Sequence, residues 1–220
     1  MQKVIIIGAG GHAAEIDEYI RYAREKQNAP LWEVAGFIDD NPESHGRYRF
    51  SAPYLGTIRD HRVNLNAFYL MGIANLAHRR PIIEKLIAGG AEFASFIHPD
   101  IYLSPSAKIG KGVIIAPNVN VGPNVVIGDH TLINSRCSLG HDTRIGRFNF
   151  ISPNVCFSGF TQVGDENLFG INSATIPGIK VGNRNKIAAG MVLDRNVEND
   201  ATVFYRHKER VIAIPKKNNP

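Results

Sequence analysis

The sequence predicts two unlike halves: a short parallel α/β domain of Rossmann-like type, then a parallel β-helix whose coils turn left-handed. Three observations carry this prediction. From Leu103 every sixth residue is apolar to Leu193, with Thr175 the one exception in sixteen. The residue after that apolar position is Gly at eight of the sixteen steps, among them Gly110, Gly128, Gly140 and Gly170. The first hundred residues instead alternate short apolar strands with amphipathic helical stretches, the pattern of βαβ units.

A six-residue period fits neither a helix of 3.6 residues per turn nor a strand of period 2, but it is the mark of a β-helix. Three hexads close one triangular coil, so residues eighteen apart stack. Leu103, Val121, Leu139, Phe157 and Thr175 are expected to form one inward column. The glycines are expected at the corners, where small residues permit left-handed turns. Such coils depart from the right-handed crossover rule, which concerns strands joined by helices. About five coils, stacked at roughly 4.8 Å, give a prism about 24 Å long.

The α/β domain is expected over residues 1–97, the β-helix over 98–200 and a basic tail over 201–220. Its first strand is Val4-Ile5-Ile6-Ile7, followed by Gly8-Ala9-Gly10-Gly11-His12 and a helix with Ala14, Ile16, Tyr19, Ile20 and Ala23 apolar. A second strand, Glu33 to Ile38, ends in Asp39-Asp40. A third runs Phe68 to Ile73, and a helix capped by Asn75 continues to Gly89-Gly90. A glycine-rich turn between strand and helix can cradle phosphate on helix N–H groups. A carboxylate at the end of the second strand stands where a ribose or base is read. GAGGHA is not a dinucleotide fingerprint and no second half follows, so one nucleotide diphosphate fits better than a redox dinucleotide.

Composition narrows the rest. The 220 residues are 44% hydrophobic and 20% charged, as in a globular protein. No apolar run is long enough to span a bilayer, and no export signal is evident, so neither a membrane nor secretion is expected. Cys137 and Cys156 give no disulfide framework, which suits a reducing cytoplasm. The net charge of +5 is spread along the chain without an aromatic-interleaved basic stripe. That favours small polyanions such as nucleotides and coenzyme A over nucleic acid. The eight histidines lack metal-ligand spacing, so no metal is expected.

One hexad stands apart. In Leu139-Gly140-His141-Asp142-Thr143, His141 follows an inward Leu by two residues and should leave the prism surface. Asp142 can orient one ring nitrogen and free the other to accept a proton. On GAGGH (8–12), FIDD (37–40), GHD (140–142) and FGINSATIPG (169–178), the chain resembles the left-handed β-helix sugar acyltransferases with an N-terminal nucleotide-binding domain. That family includes N-acetyltransferases of nucleotide-linked 4-amino sugars, as in bacillosamine synthesis, and sialic acid O-acetyltransferases.

The resemblance implies acetyl-CoA as acyl donor, His141 as base, Asp142 as its orienting acid and Asn134 beside the acceptor. Gly159 would hold the thioester carbonyl. Ile171, Asn172, Ala188, Ala189 and Gly190 would line the coenzyme arm. Gly8, Gly10, Gly11, His12, Asp39 and Asp40 would line the nucleotide-sugar pocket. It also implies a homotrimer with the site between chains. Members often carry His where this chain has Phe150, and often end in Gly-Val-Pro-Ala, which Val203 to Lys208 does not match. Two other activities fit the same residues: O-acetylation of sialic acid or a related sugar, and nucleotide-sugar binding without catalysis.

Overall fold

The computed structural model describes residues 2–27 and 32–205. Strands β1 (Gln2–Ile7), β2 (Trp32–Ile38), β3 (Tyr54–Gly56), β4 (Phe68–Met71) and β5 (Glu92–Phe93) form one parallel sheet in the order β3-β2-β1-β4-β5. Helix α1 (Gly11–Gln27) follows β1, and α2 (Leu76–Ala88) follows β4. Asn75 caps α2, its side chain accepting from the Ala77 N–H at 3.0 Å, which removes one of the orphan donors of the first turn. β3 and β5 are too short to leave a periodic signal. They are edge strands, placed by pairing with β2 and β4.

From Phe96 onward the chain is a left-handed prism of two-residue strands. Face 1 starts at Tyr102–Leu103, face 2 at Lys108–Ile109 and face 3 at Phe96–Ile97; they hold six, five and seven strands. The strand Phe96–Ile97 already pairs with Ile114–Ile115, so the prism begins two residues before the boundary drawn on sequence. At its far end Thr202–Val203 adds a strand to face 3; the remainder of the expected basic tail, from residue 206, lies outside the described residues. In face 1, Leu103, Val121, Leu139, Phe157, Thr175 and Leu193 stack in register. Val121, Leu139, Phe157 and Leu193 join inward side chains of the other faces in a continuous apolar core, while Leu103, in the first coil of this face, is partly exposed.

The corners work differently from the sequence expectation. From Gly112 to Gly190 every sixth residue has φ between +56° and +75°, and most of these are not glycine: Asn118, Asn124, His130, Asp142, Phe148 and Phe160 are among them. The left-handed residue is therefore the third after the inward apolar one. The recurrent Gly one place after it serves close approach instead. A Cβ on Gly140 would lie 2.7 Å from the Gly159 nitrogen, and one on Gly128 would lie 2.7 Å from the Gly146 carbonyl. Bulky residues in the left-handed region cost on the order of 1 kcal/mol each. The ladder holds them: the Phe160 N–H donates to the His141 carbonyl at 3.0 Å, eighteen-odd residues back.

Face 3 carries the α/β domain. Ile114 and Leu132, which point outward from the prism, are buried in one cluster with Ile16 and Ile20 of α1 and Val4, Ile6, Phe37 and Leu70 of the sheet. The opposite side of the sheet buries Ile5, Ile7, Tyr69 and Met71 against Ile83 and Leu86 of α2. Cys137 is inward and buried, and its thiol donates to the Ser152 carbonyl at 3.2 Å.

Two outcomes follow from this packing. Phe157 and Phe169 meet edge-on at 4.8 Å between ring centroids in the prism core, and Phe157→Ala should lower the unfolding free energy by about 3–5 kcal/mol, read by denaturant titration. Burial pushes the Cys137 thiol up to about 12, so iodoacetamide at pH 8 should spare it in the folded protein and modify it after denaturation, as peptide mass would show.

Candidate functional site

His141 sits at the corner between faces 1 and 2, exposed, with Nδ1 2.9 Å from Asp142 Oδ2. Asp142 is one of the left-handed residues, and that backbone turn swings its carboxylate back beside the preceding ring. Its other oxygen accepts from Asn124 Nδ2 at 3.0 Å, one coil earlier. Hydrogen bonds from His141 and then Asn124 hold the Asp142 carboxyl below the usual carboxylate range. It is thus ionised wherever an imidazole titrates, and an anion at Nδ1 favours the tautomer with a free Nε2.

That Nε2 faces Gly159, eighteen residues on. A Cβ there would lie 2.6 Å from it. The Phe160 ring stands edge-on to the imidazole at 5.0 Å and walls one side. The Gly159 N–H has no acceptor among the described residues, so it is available as an oxyanion donor. Sequence reasoning on neighbours along the chain missed Asn124 and Phe160. Stepping eighteen residues back and eighteen forward from Asp142 reaches Asn124 and Phe160, and would have found them.

Ile171, Asn172, Ala188, Ala189 and Gly190 come together at a different corner, between faces 3 and 1. The Gly190 N–H donates to the Ile171 carbonyl at 2.8 Å, and Ile171 is 44% exposed. A Cβ on Gly170 would lie 2.5 Å from the Ala189 nitrogen, so this surface is smooth backbone. Asn134 belongs to the same corner, its Oδ1 taken by the Ser135 N–H at 2.7 Å. Within one chain it is not brought to His141, although only seven residues separate them; seven residues span one whole face.

The glycine turn lies at the carboxyl ends of β1, β2 and β4. Gly8, at φ +96°, packs against Gly72 and Ile73, and its N–H donates to Ile38 at 2.7 Å. A Cβ on Gly10 would meet nothing within 4 Å. The fold does not need glycine there, whereas a ligand approaching the backbone would. Gly11 opens α1 beneath the Tyr48 hydroxyl, which would lie 3.0 Å from a Cβ, and no acidic side chain occupies the first turn of the helix. His12 pairs through Nδ1 with Glu15 at 3.2 Å. Its Nε2 is buried without a partner, and its ring lies 6.2 Å from that of Phe150.

The aspartate pair divides. Asp39 accepts from the Ala9 N–H at 2.7 Å and the Asn41 N–H at 2.8 Å, one bond per oxygen, so it ties the glycine turn to β2 and keeps a further lone pair on each oxygen. Asp40 gives one oxygen to the Arg59 N–H at 2.9 Å and is exposed. Among the described residues no group of His, Cys, Asp or Glu side chains is arranged to hold a metal, and no helix is long and apolar enough to cross a membrane.

Comparison with known proteins agrees with this geometry. Residues 3–86 match the family model described as the PglD N-terminal domain. The acetyltransferase domain of PglB from Neisseria gonorrhoeae FA1090, solved with acetyl coenzyme A, is 27% identical. It covers 91% of this chain and 96% of that one, with a TM-score of 0.79. PerB from Caulobacter crescentus, solved with CoA and GDP-perosamine, is 26% identical with a TM-score of 0.79, over 92% of this chain and 93% of that one. UDP-N-acetylbacillosamine N-acetyltransferase of Bacillus subtilis (strain 168) is 28% identical over 117 residues, 52% of this chain. The match spans about half the length of that relative, 51%.

Prism, corner histidine and smooth backbone corner together define a left-handed β-helix acyltransferase. Its residues 3–86 match the PglD-type N-terminal domain, and its fold is similar to that of the PglB and PerB structures along nearly the whole chain.

Gly159→Ala separates stability from chemistry at this site. The imidazole is exposed and can rotate away, so the melting temperature should stay within about two degrees. A base displaced by an ångström or more should lose about 100-fold or more in turnover, measured as thiol release.

Proposed function

We propose that this protein transfers the acetyl group of acetyl-CoA to the amine of a nucleotide-linked amino-deoxy sugar, of the 4-amino-4,6-dideoxy type. The observation that carries the proposal is the imidazole fixed by Asp142 at Nδ1 and open at Nε2, beside an unengaged Gly159 N–H. The amine nitrogen attacks the thioester carbonyl, and His141 Nε2 takes its proton. The Gly159 N–H stabilises the oxyanion, the C–S bond breaks, and the proton passes to the departing thiolate. A general base of this kind contributes about 10²–10⁴-fold. Amine rather than hydroxyl acylation is favoured because one of the similar proteins above is named for N-acetylation, and another was solved with a nucleotide amino sugar. The free, buried Cys137 suits a reducing, cytoplasmic setting.

The working unit is read as a homotrimer. The α/β domain covers face 3, while His141 stands at the corner opposite that face, so the glycine turn and the base of one chain point apart. Face 2 presents Lys108, Arg144 and Lys180. Face 1 presents Tyr102, Asn120, Ser138, Cys156, Ala174 and Val192, with no charge. It lies between the His141 corner and the Ala189 corner. Turning the uncharged faces of three copies toward one axis brings the His141 corner of each beside the Ala189 corner and nucleotide domain of the next. Interfaces of this obligate kind typically bury more than about 2,000 Å².

Four measurements test the proposal. His141→Ala should keep the fold and lose about two to four orders of magnitude in turnover with acetyl-CoA and a panel of nucleotide-linked 4-amino and 3-amino sugars. A third of the wild-type rate remaining would remove His141 from the mechanism. Asp40→Ala should raise the KM for the nucleotide sugar and leave that for acetyl-CoA unchanged, whereas Asp39→Ala should also destabilise the glycine turn. Light scattering should give about three times the 24.2 kDa chain mass. Mixed His141→Ala and Ala189→Trp chains should recover part of the activity that neither has alone.

A further inference from the structure

Arg79 is fully buried, 0% exposed, and among the described residues no carboxylate meets its guanidinium. An uncompensated buried charge is costly, and burial pulls its pKa down to about 10, so it remains a cation at neutral pH. Its donors go to two backbone carbonyls on opposite sides of a junction. NH1 donates to Ile73 at 2.9 Å, and NH2 donates to His130 at 3.1 Å, a buried bond. Nε has no partner.

Ile73 follows β4 and lies directly under the glycine turn. A Cβ on Gly8 would sit 2.8 Å from the Ile73 side chain and 3.2 Å from the Gly72 carbonyl. His130 is a left-handed corner residue of the prism, at φ +57°, locked between Phe93 and the stacked ring of Phe148. Its own N–H is spent on the Lys111 carbonyl at 2.8 Å. Other side chains also bridge the two halves, Tyr22 to Asp100 at 2.6 Å and Arg80 to Glu166 at 2.6 Å, but both bonds are exposed and hold little against water. Ser95, just before the prism, donates its hydroxyl to the Gly110 carbonyl at 2.8 Å, and the rest of the junction is mostly apolar and ring contact, which is less directional.

We propose that Arg79 is a positioning residue for the nucleotide-sugar site: its planar guanidinium fork fixes the Gly8–His12 turn at one height and angle over the prism by clamping Ile73 to His130. The proposal rests on the nucleotide-sugar reading of that turn. A fork reaches two carbonyls with fixed geometry, and an ammonium at the end of a flexible stem does not. Arg79 touches neither the coenzyme corner nor His141, so its loss should be felt in acceptor binding alone.

The test uses the full-length protein and its Arg79→Lys and Arg79→Met variants. Nucleoside diphosphate binding is measured by calorimetry with UDP, GDP and dTDP, and acetylation kinetics by thiol release. The expected result is a five- to twenty-fold rise in the Kd of the preferred diphosphate and in the KM for the nucleotide sugar. The KM for acetyl-CoA, and kcat at saturating sugar, should stay within two-fold. Lys should fare little better than Met. Amide hydrogen exchange on Arg79→Lys should be faster at residues 8–12 and 72–74 and unchanged at residues 139–160. Should Arg79→Met not fold, Arg79→Lys and its exchange pattern decide alone. An Arg79→Lys protein with unaltered diphosphate affinity and unaltered exchange in the glycine turn would overturn the proposal, as would equal losses in both KM values. A wild-type protein that binds none of the three diphosphates would instead overturn the nucleotide-sugar reading.

Discussion

Each residue of the prism is held against the residues eighteen before and eighteen after it by a parallel backbone ladder, and everything else in the molecule is referred to that register. Val121 lies on Leu139 and Leu139 on Phe157 because the chain gains one coil for every three hexads. The same step lays Asn124 beside Asp142 and Gly159 over His141. The corner chemistry therefore needs no dedicated loop. It is a by-product of a lattice built to close backbone hydrogen bonds, in which three positions happen to carry an amide, an imidazole and no side chain.

The lattice also explains where bulk is forbidden. The glycine that follows half of the inward residues leaves room for the neighbouring coil's backbone, while the left-handed position accepts almost anything, from Asn154 to Phe160 and Arg184. Side chains at that left-handed position project outward at the corners. That is how Asp142 reaches the ring of His141, and how His130 comes to face the α/β domain. A constraint on backbone packing and a freedom in side-chain choice thus alternate every few residues, and the functional residues occupy the free positions.

Most of the prism could be read from the chain because its period is short, sustained and made of residues with one evident preference. The inward column, the exposure of His141 and the burial of Cys137 all follow from counting by six. The role of the glycines did not follow, since a corner glycine can serve either a positive φ or a close approach, and only the contact with the next coil tells them apart. Asn149, Asn167 and Asn185, whose side chains form a buried ladder at one corner, carry a legible eighteen-residue spacing that apolar periodicity overlooks. In the α/β half, β1, β2, β4 and both helices were legible. β3 and β5 were not, being two or three residues long and specified by their partners. Asp39 was legible as a strand-end carboxylate; its two backbone bonds become visible only when Ala9 and Asn41 are brought beside it. Arg79 gave no signal at all, because an arginine in a polar stretch of helix is ordinarily a solvated one.

A stack of coils behaves as a nearly one-dimensional chain, in which each layer is stabilised by the layers on either side and the ends fray first. The two ends of this stack are not alike. The first coils lie under the α/β domain, while the last, beyond Ile187, are closed among the described residues by the strand at Thr202–Val203, the bridge at Val197 and side-chain bonds such as Arg184 to Asp200. His141 falls in a central coil, flanked by complete layers through Val121 and Phe157. Fluctuations that open the final turns must therefore cross at least one intact layer before they disturb the imidazole, its aspartate or the glycine above it. Among the described residues the Ala188–Gly190 stretch has only the closing strand at Thr202–Val203 beyond it, so local opening at this end would loosen it while the His141 corner stays assembled.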